Sequence, residues 1–245
     1  MKPILPRFST LRSLPRDGRV LFVTRFARMF GYGFLSVVLF LYLKALGMSD
    51  GRIGLLLTLT LAGDTVISLA LATRADRFGR RKTLIVGAAL MLLAGVVFVL
   101  TRYPILLLIA ATIGVISPNG KEVGPFLSVE QAALSHVTAG GQRTAVFAWY
   151  NLTGSVAAAL GALACGWFAE LLQHRGVSIP NSYRAIIFGY ALVGAALCGM
   201  FTYLSDTVEV EFGEGEAPAE PSLSQYPART SASSVEPQEP RAPIF

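Results

Sequence analysis

Arg25, Arg28, Tyr32 and Ser36 are spaced by three, four and four residues, steps that return each side chain to nearly the same angle on a helix. Such a stripe offers two guanidiniums, a phenol and a hydroxyl to a solute or a proton. Asp64 has Thr60 four residues before it and Ser68 four after it, a carboxylate between two hydroxyls that could take up and release a proton. A third group lies in ISPNGKEVGPF, where Lys121 and Glu122 fall among Pro118, Gly120, Gly124 and Pro125, residues that kink or break a helix. Thr144, Asn151 and Ser155 share one helical face further along.

Other chemistries lack their parts. His136 and His174 read as separated loop residues, too few for a metal site, and no nucleophile has a histidine base in the same helical stretch. Cys165 and Cys198 each sit inside an apolar run, so neither a disulfide framework nor a thiolate metal site is expected. The residues point away from an enzyme, and no cofactor is implied.

These polar groups must be positioned by elements that are overwhelmingly apolar. Hydrophobic residues make up 53% of the 245-residue chain and charged residues 15%, against roughly a quarter charged in soluble domains. The apolar residues come in runs of about 20, the length at which a helix matches a hydrocarbon core of roughly 30 Å. Six spans are predicted, at 20–46, 52–73, 83–101, 104–128, 144–170 and 183–204, giving an all-α, multi-pass membrane protein. Ser49 and Asp50 can cap the second helix, Gly79 permits a tight reversal, and Pro180 with Asn181 introduces the sixth.

Cations are distributed unevenly among the connections. Lys2, Arg7, Arg12, Arg16 and Arg19 precede the first span, Arg74, Arg77, Arg80, Arg81 and Lys82 follow the second, and Arg143 precedes the fifth. The opposite side holds Lys44, Arg52, Arg102, Arg175 and Arg184. The richer side is expected to be cytoplasmic, with both termini there and the chain in a plasma or inner membrane. A net charge of +6 therefore argues for attraction to anionic headgroups, not for nucleic acid, whose binders carry their cations on a solvated face. The expected organisation is a basic segment 1–19, a bundle 20–204 and an acidic, Pro-rich tail 205–245 that cannot bury enough surface to order itself.

Depth separates the ionisable groups. Counting 1.5 Å per residue, Arg25 lies about 8 Å and Arg28 about 12 Å from the start of the first span, and Asp64 roughly 18 Å along the second. Such groups face a bundle interior or a wet cavity. The competing readings are that the arginines snorkel to the interface, that protonated Asp64 only packs helices, and that Lys121 and Glu122 are fixed ion pairs.

Asp76, Arg77, Gly79, Arg80 and Arg81, at the junction of the second and third spans, match the loop pattern G-x-x-x-D-[RK]-x-G-[RK]-[RK], with Ala72 in place of the first glycine and Arg74 where leucine is common. GMSDGRIG and GQRTAVFAWYNLTG at the second and fifth spans are also similar. On these residues the chain resembles the N-terminal half of a major facilitator superfamily transporter. The resemblance implies six helices arranged as two inverted three-helix repeats, and a central cavity lined by the first, second, fourth and fifth helices. It implies that the Asp76 loop acts as a gate against the other half of the transporter.

The expected function is thus secondary active transport of a small solute by alternating access, coupled to protons through Asp64 or Glu122. Arg25, Arg28, Tyr32, Asp64, Lys121, Glu122 and Asn151 form the pathway. The expected partners are membrane lipid, the solute, protons, and a second transporter half or another copy of the chain. A non-transporting assembly or regulatory protein, whose buried charges only specify packing, is the alternative.

Overall fold

The computed structural model describes residues 14–114, 116, 125–138, 142–205 and 208–209, without the side chains of Asp76, Arg77 and Pro125. Seven helices follow one another: α1 (Arg16–Ala45), α2 (Asp50–Phe78), α3 (Arg80–Leu100), α4 (Pro104–Ile113), α5 (Pro125–Val137), α6 (Arg143–His174) and α7 (Ile179–Phe201). No strand occurs among the described residues. Helices α1, α2, α3, α6 and α7 are each long and apolar enough to cross a membrane, and they correspond to five of the six predicted spans.

The fourth predicted span is divided. Helix α4 has 10 residues and rises only about 15 Å, half of a hydrocarbon core. Helix α5 begins at Pro125 and continues to Val137, past the Ser128 at which the span was expected to end. Helix α4 closes with Gly114 at its C-cap, whose N–H donates to the Ala110 carbonyl; Pro118, Gly120 and Gly124 lie outside the described residues. Lys121 and Glu122 lie outside the described residues.

Local signals set most of the remaining ends. Gly79 separates α2 from α3 at φ 99°, a backbone conformation open to glycine at little cost. Ser49 occupies the N-cap position of α2 but makes no side-chain capping bond, while Asp50 accepts a hydrogen bond from Lys44 Nζ. Pro180 lies in the first turn of α7 and does not precede it, where its missing N–H is no loss. His136 falls in the last turn of α5 and His174 ends α6, so both are helical, not loop, residues. Cys165 and Cys198 are free thiols.

Helix α1 is the centre of the bundle, packed against α6 and α7, with α3 on the other side of α7. Gly33 of α1 and Gly161 of α6 mark the α1–α6 crossing: a Cβ on Gly33 would overlap the Ala158 carbonyl, and one on Gly161 would overlap the Phe30 carbonyl. Backbones approach this closely in membranes because packing between small residues replaces a hydrophobic driving force that lipid does not supply. Leu55, Val66 and Leu69 of α2 and Leu163 and Trp167 of α6 are exposed on the outside. Exposed apolar surface of this extent marks a face that meets lipid or another protein surface.

The α1–α6 contact yields a direct test. Gly161→Leu should lower the unfolding stability of the detergent-solubilised chain by about 1–3 kcal/mol or more. Gly166→Leu, at a position with nothing within 4 Å of a built Cβ, should change it by no more than about 0.5 kcal/mol. Thermal unfolding of the two variants side by side compares them.

Candidate functional site

Helix α1 starts at Arg16, earlier than the predicted Val20, so Arg28 lies about 18 Å along it. Arg28 does not snorkel to the interface. Its guanidinium grips Glu130 of α5 with Nη1 to Oε1 at 2.6 Å and Nη2 to Oε2 at 2.7 Å, both side chains being fully buried. The Phe126 ring, one turn before Glu130, lies 4.4 Å beneath the guanidinium carbon. A two-pronged, charge-assisted contact of this kind fixes direction as well as distance.

Tyr150 of α6 joins the pair to Arg25. Its hydroxyl donates to Glu130 Oε2, its backbone carbonyl accepts from Arg25 Nε at 2.9 Å, and its ring sits 4.1 Å from the Arg25 guanidinium carbon. Arg25 Nη2 also donates to Asn151 Oδ1 at 3.4 Å. Room for this comes from Gly154, where a Cβ would stand 2.8 Å from Arg25 Nε. Arg25 is thus buried against α6, and the competing reading that it reaches for the interface does not hold. Asn151 itself is exposed, on the same open face of α6 as Thr144 and Ser155.

A second polar group lies beside the first. Tyr32, one turn beyond Arg28 on α1, is fully buried and packs on Tyr190 of α7 with ring centroids 6.4 Å apart. Asp64 of α2, also fully buried, lies within electrostatic range of Tyr190. Its Oδ1 accepts from Ser68 Oγ at 3.4 Å, while Oδ2 has no hydrogen-bond partner among the described residues. Thr60 does not serve Asp64, because its hydroxyl bonds to the Leu56 carbonyl at 2.8 Å; Ser36 likewise turns back to Gly33. The spacing placed both hydroxyls on the right faces, but local backbone acceptors claim them.

The motif between α2 and α3 takes a different form from a row of cations at headgroups. Asp76 and Arg77 fall in the last turn of α2, and their side chains lie outside the described residues. Gly79 makes the turn. The Glu209 carboxylate accepts from the backbone N–H of Arg80 at 2.6 Å and of Arg81 at 3.2 Å, an acid at the positive end of a helix. Arg81 Nη2 donates to the Thr202 carbonyl at 2.7 Å and Arg80 Nη1 to Val208 at 3.5 Å. These two arginines are therefore engaged by the chain beyond α7.

Sequence reasoning missed Glu130 and Tyr150. A signal for Glu130 was present: Phe126, Val129, Glu130, Ala133 and Leu134 recur at helical spacing and all are buried, so the carboxylate occupies a core stripe. Tyr150 stands beside the noted Asn151, but nothing in the local sequence marks its three-way role. No cluster of three or more metal-ligating side chains occurs among the described residues.

Two comparisons with known proteins bear on this arrangement. The family model of the Major Facilitator Superfamily matches residues 21–237. An uncharacterized membrane protein of Saccharomyces cerevisiae is 38% identical over 206 residues, covering 83% of this chain and 46% of that protein. The chain thus spans about half the length of this relative.

The ion pair predicts unequal costs for its parts. Glu130→Gln leaves the Arg28 charge buried and unbalanced and should destabilise the chain by about 3–5 kcal/mol. Tyr150→Phe removes one hydroxyl from the same carboxylate and should cost about 1–3 kcal/mol. Chemical unfolding in detergent, read by helical circular dichroism, checks the order.

Proposed function

Because the chain belongs to the major facilitator superfamily, we propose that it is a transport half-bundle whose proton-carrying group is Asp64 and whose structural lock is Arg28 with Glu130. The observation that carries this reading is the buried Asp64 Oδ2 without a partner among the described residues. A carboxylate held in that state inside a membrane bundle either carries a proton or meets a ligand. Glu130 is a poorer candidate, since both of its oxygens are occupied by Arg28 and Tyr150.

In this reading the solute crosses beside the open polar face of α6, past Asn151 and Arg25. Lys121 and Glu122, in the interrupted fourth span, complete the pathway. Alternating access is a rocking of this bundle against a second half, or against another copy of the chain, with the Asp76–Arg81 turn as gate. Protonation of Asp64 removes its charge as the pathway changes sides, which links proton flow to solute movement. Both termini are placed on the cytoplasmic side of the cell membrane, following the excess of Lys and Arg. The solute is a small polar molecule such as a sugar, an amino acid or an organic anion.

Reconstitution with a second half, in liposomes carrying an inward proton gradient and supplied with labelled compounds of those three classes, tests the assignment. Asp64→Asn should abolish gradient-driven accumulation while preserving exchange of labelled for unlabelled solute. Accumulation equal to that of the unaltered chain removes Asp64 from the coupling mechanism.

A further inference from the structure

At the basic end of the bundle, α1 and α7 part to leave a groove of about 460 Å³ lined by Arg16, Arg19, Val20, Val23, Met200 and Tyr203. The four α1 residues follow i, i+3, i+4 and i+7 spacing, which puts them on one face. The charged pair stands at the helix start and the apolar pair further along, over a rise of about 10 Å. Tyr203 is exposed at the rim and Val23 is more than half exposed.

The two guanidiniums differ from the other α1 arginines. Arg25 and Arg28 are buried and engaged inside the bundle, whereas Arg16 and Arg19 are exposed and make no side-chain hydrogen bond or ion pair among the described residues. The neighbouring carboxylate does not balance them. Asp17 is buried and accepts from the backbone N–H of Ser205 at 3.2 Å and from its hydroxyl. Two cations without a side-chain partner among the described residues thus sit above an apolar channel that is open at Val23.

We propose that this groove holds one anionic glycerophospholipid, its phosphate between Arg16 and Arg19 and an acyl chain along Val20, Val23 and Met200. Charge complementarity selects the headgroup, since a planar guanidinium binds phosphate through paired hydrogen bonds. The apolar floor selects a lipid over free phosphate, and Tyr203 occupies the interfacial level at which tyrosine is enriched. The site is distinct from general attraction of a basic surface to a membrane, because it requires both the charges and the shape of the groove.

The full chain, in nanodiscs of phosphatidylcholine doped with phosphatidylserine, is released into the gas phase and its retained lipids are counted by native mass spectrometry. The unaltered chain should keep one phosphatidylserine with about tenfold preference over phosphatidylcholine. R16Q/R19Q should lose that preference and R175Q, at the opposite end, should keep it. Val23→Trp, which fills the groove and leaves the charge unchanged, should also lose it. Equal retention of the two lipids by the unaltered chain, or an undiminished preference in both R16Q/R19Q and Val23→Trp, overturns the proposal. So does a photo-reactive side chain in place of Val20 that labels the acidic 211–245 segment instead of lipid.

Discussion

An ionised arginine and an ionised glutamate, both fully buried in a helical bundle surrounded by lipid, can exist only in each other's company. Removing two charges from water costs several kcal/mol per ion even after relaxation. Arg28 and Glu130 recover this only through two short, parallel contacts and a third from Tyr150. That requirement fixes the register of α1 against α5, and Tyr150 extends it to α6. Once Tyr150 is set, its carbonyl and ring determine where Arg25 lies, and Gly154 is the residue that makes this possible. The open side of α6, with Asn151, is then left facing away from the core.

The two polar groups consequently differ in kind. The group around Arg28 is closed, with its acceptors occupied and its aromatic neighbours in place, and is suited to holding helices together. The group around Asp64 is held loosely, by one long contact from Ser68, and retains an oxygen free among the described residues. The proposed rocking mechanism calls for both: rigid internal packing so that the bundle moves as a unit, and a site whose charge can change. Helix α2, which carries Asp64, packs only lightly against α1, so a change at Asp64 need not dismantle the ion pair.

Much of this architecture was legible from hydropathy alone, since lipid forces backbone groups into helices and leaves apolar length as the dominant signal. The turn at Gly79 was also legible, from a residue with special backbone chemistry. Pairings across the bundle were not. Arg28 and Glu130 are separated by 102 residues, and assigning Ser128 as the end of a span placed Glu130 outside it. Length and depth alone permit Arg25 to line the pathway or to snorkel; the Tyr150 carbonyl and the Gly154 gap make the inward route better. Glu209 carries the composition of an acidic tail, yet it ends at the amides of Arg80 and Arg81, an anion site created by the α3 terminus and invisible in a one-dimensional count of charges.

The most direct test is a double-mutant cycle on Arg28→Gln and Glu130→Gln, with unfolding free energies measured in the same detergent for each single variant and for the pair. If the ion pair sets the register of the bundle, the two substitutions will be strongly non-additive, with a coupling of about 1.5–3 kcal/mol and a double variant less damaged than the sum of its parts. Additive effects, with a coupling below about 0.5 kcal/mol, contradict the account.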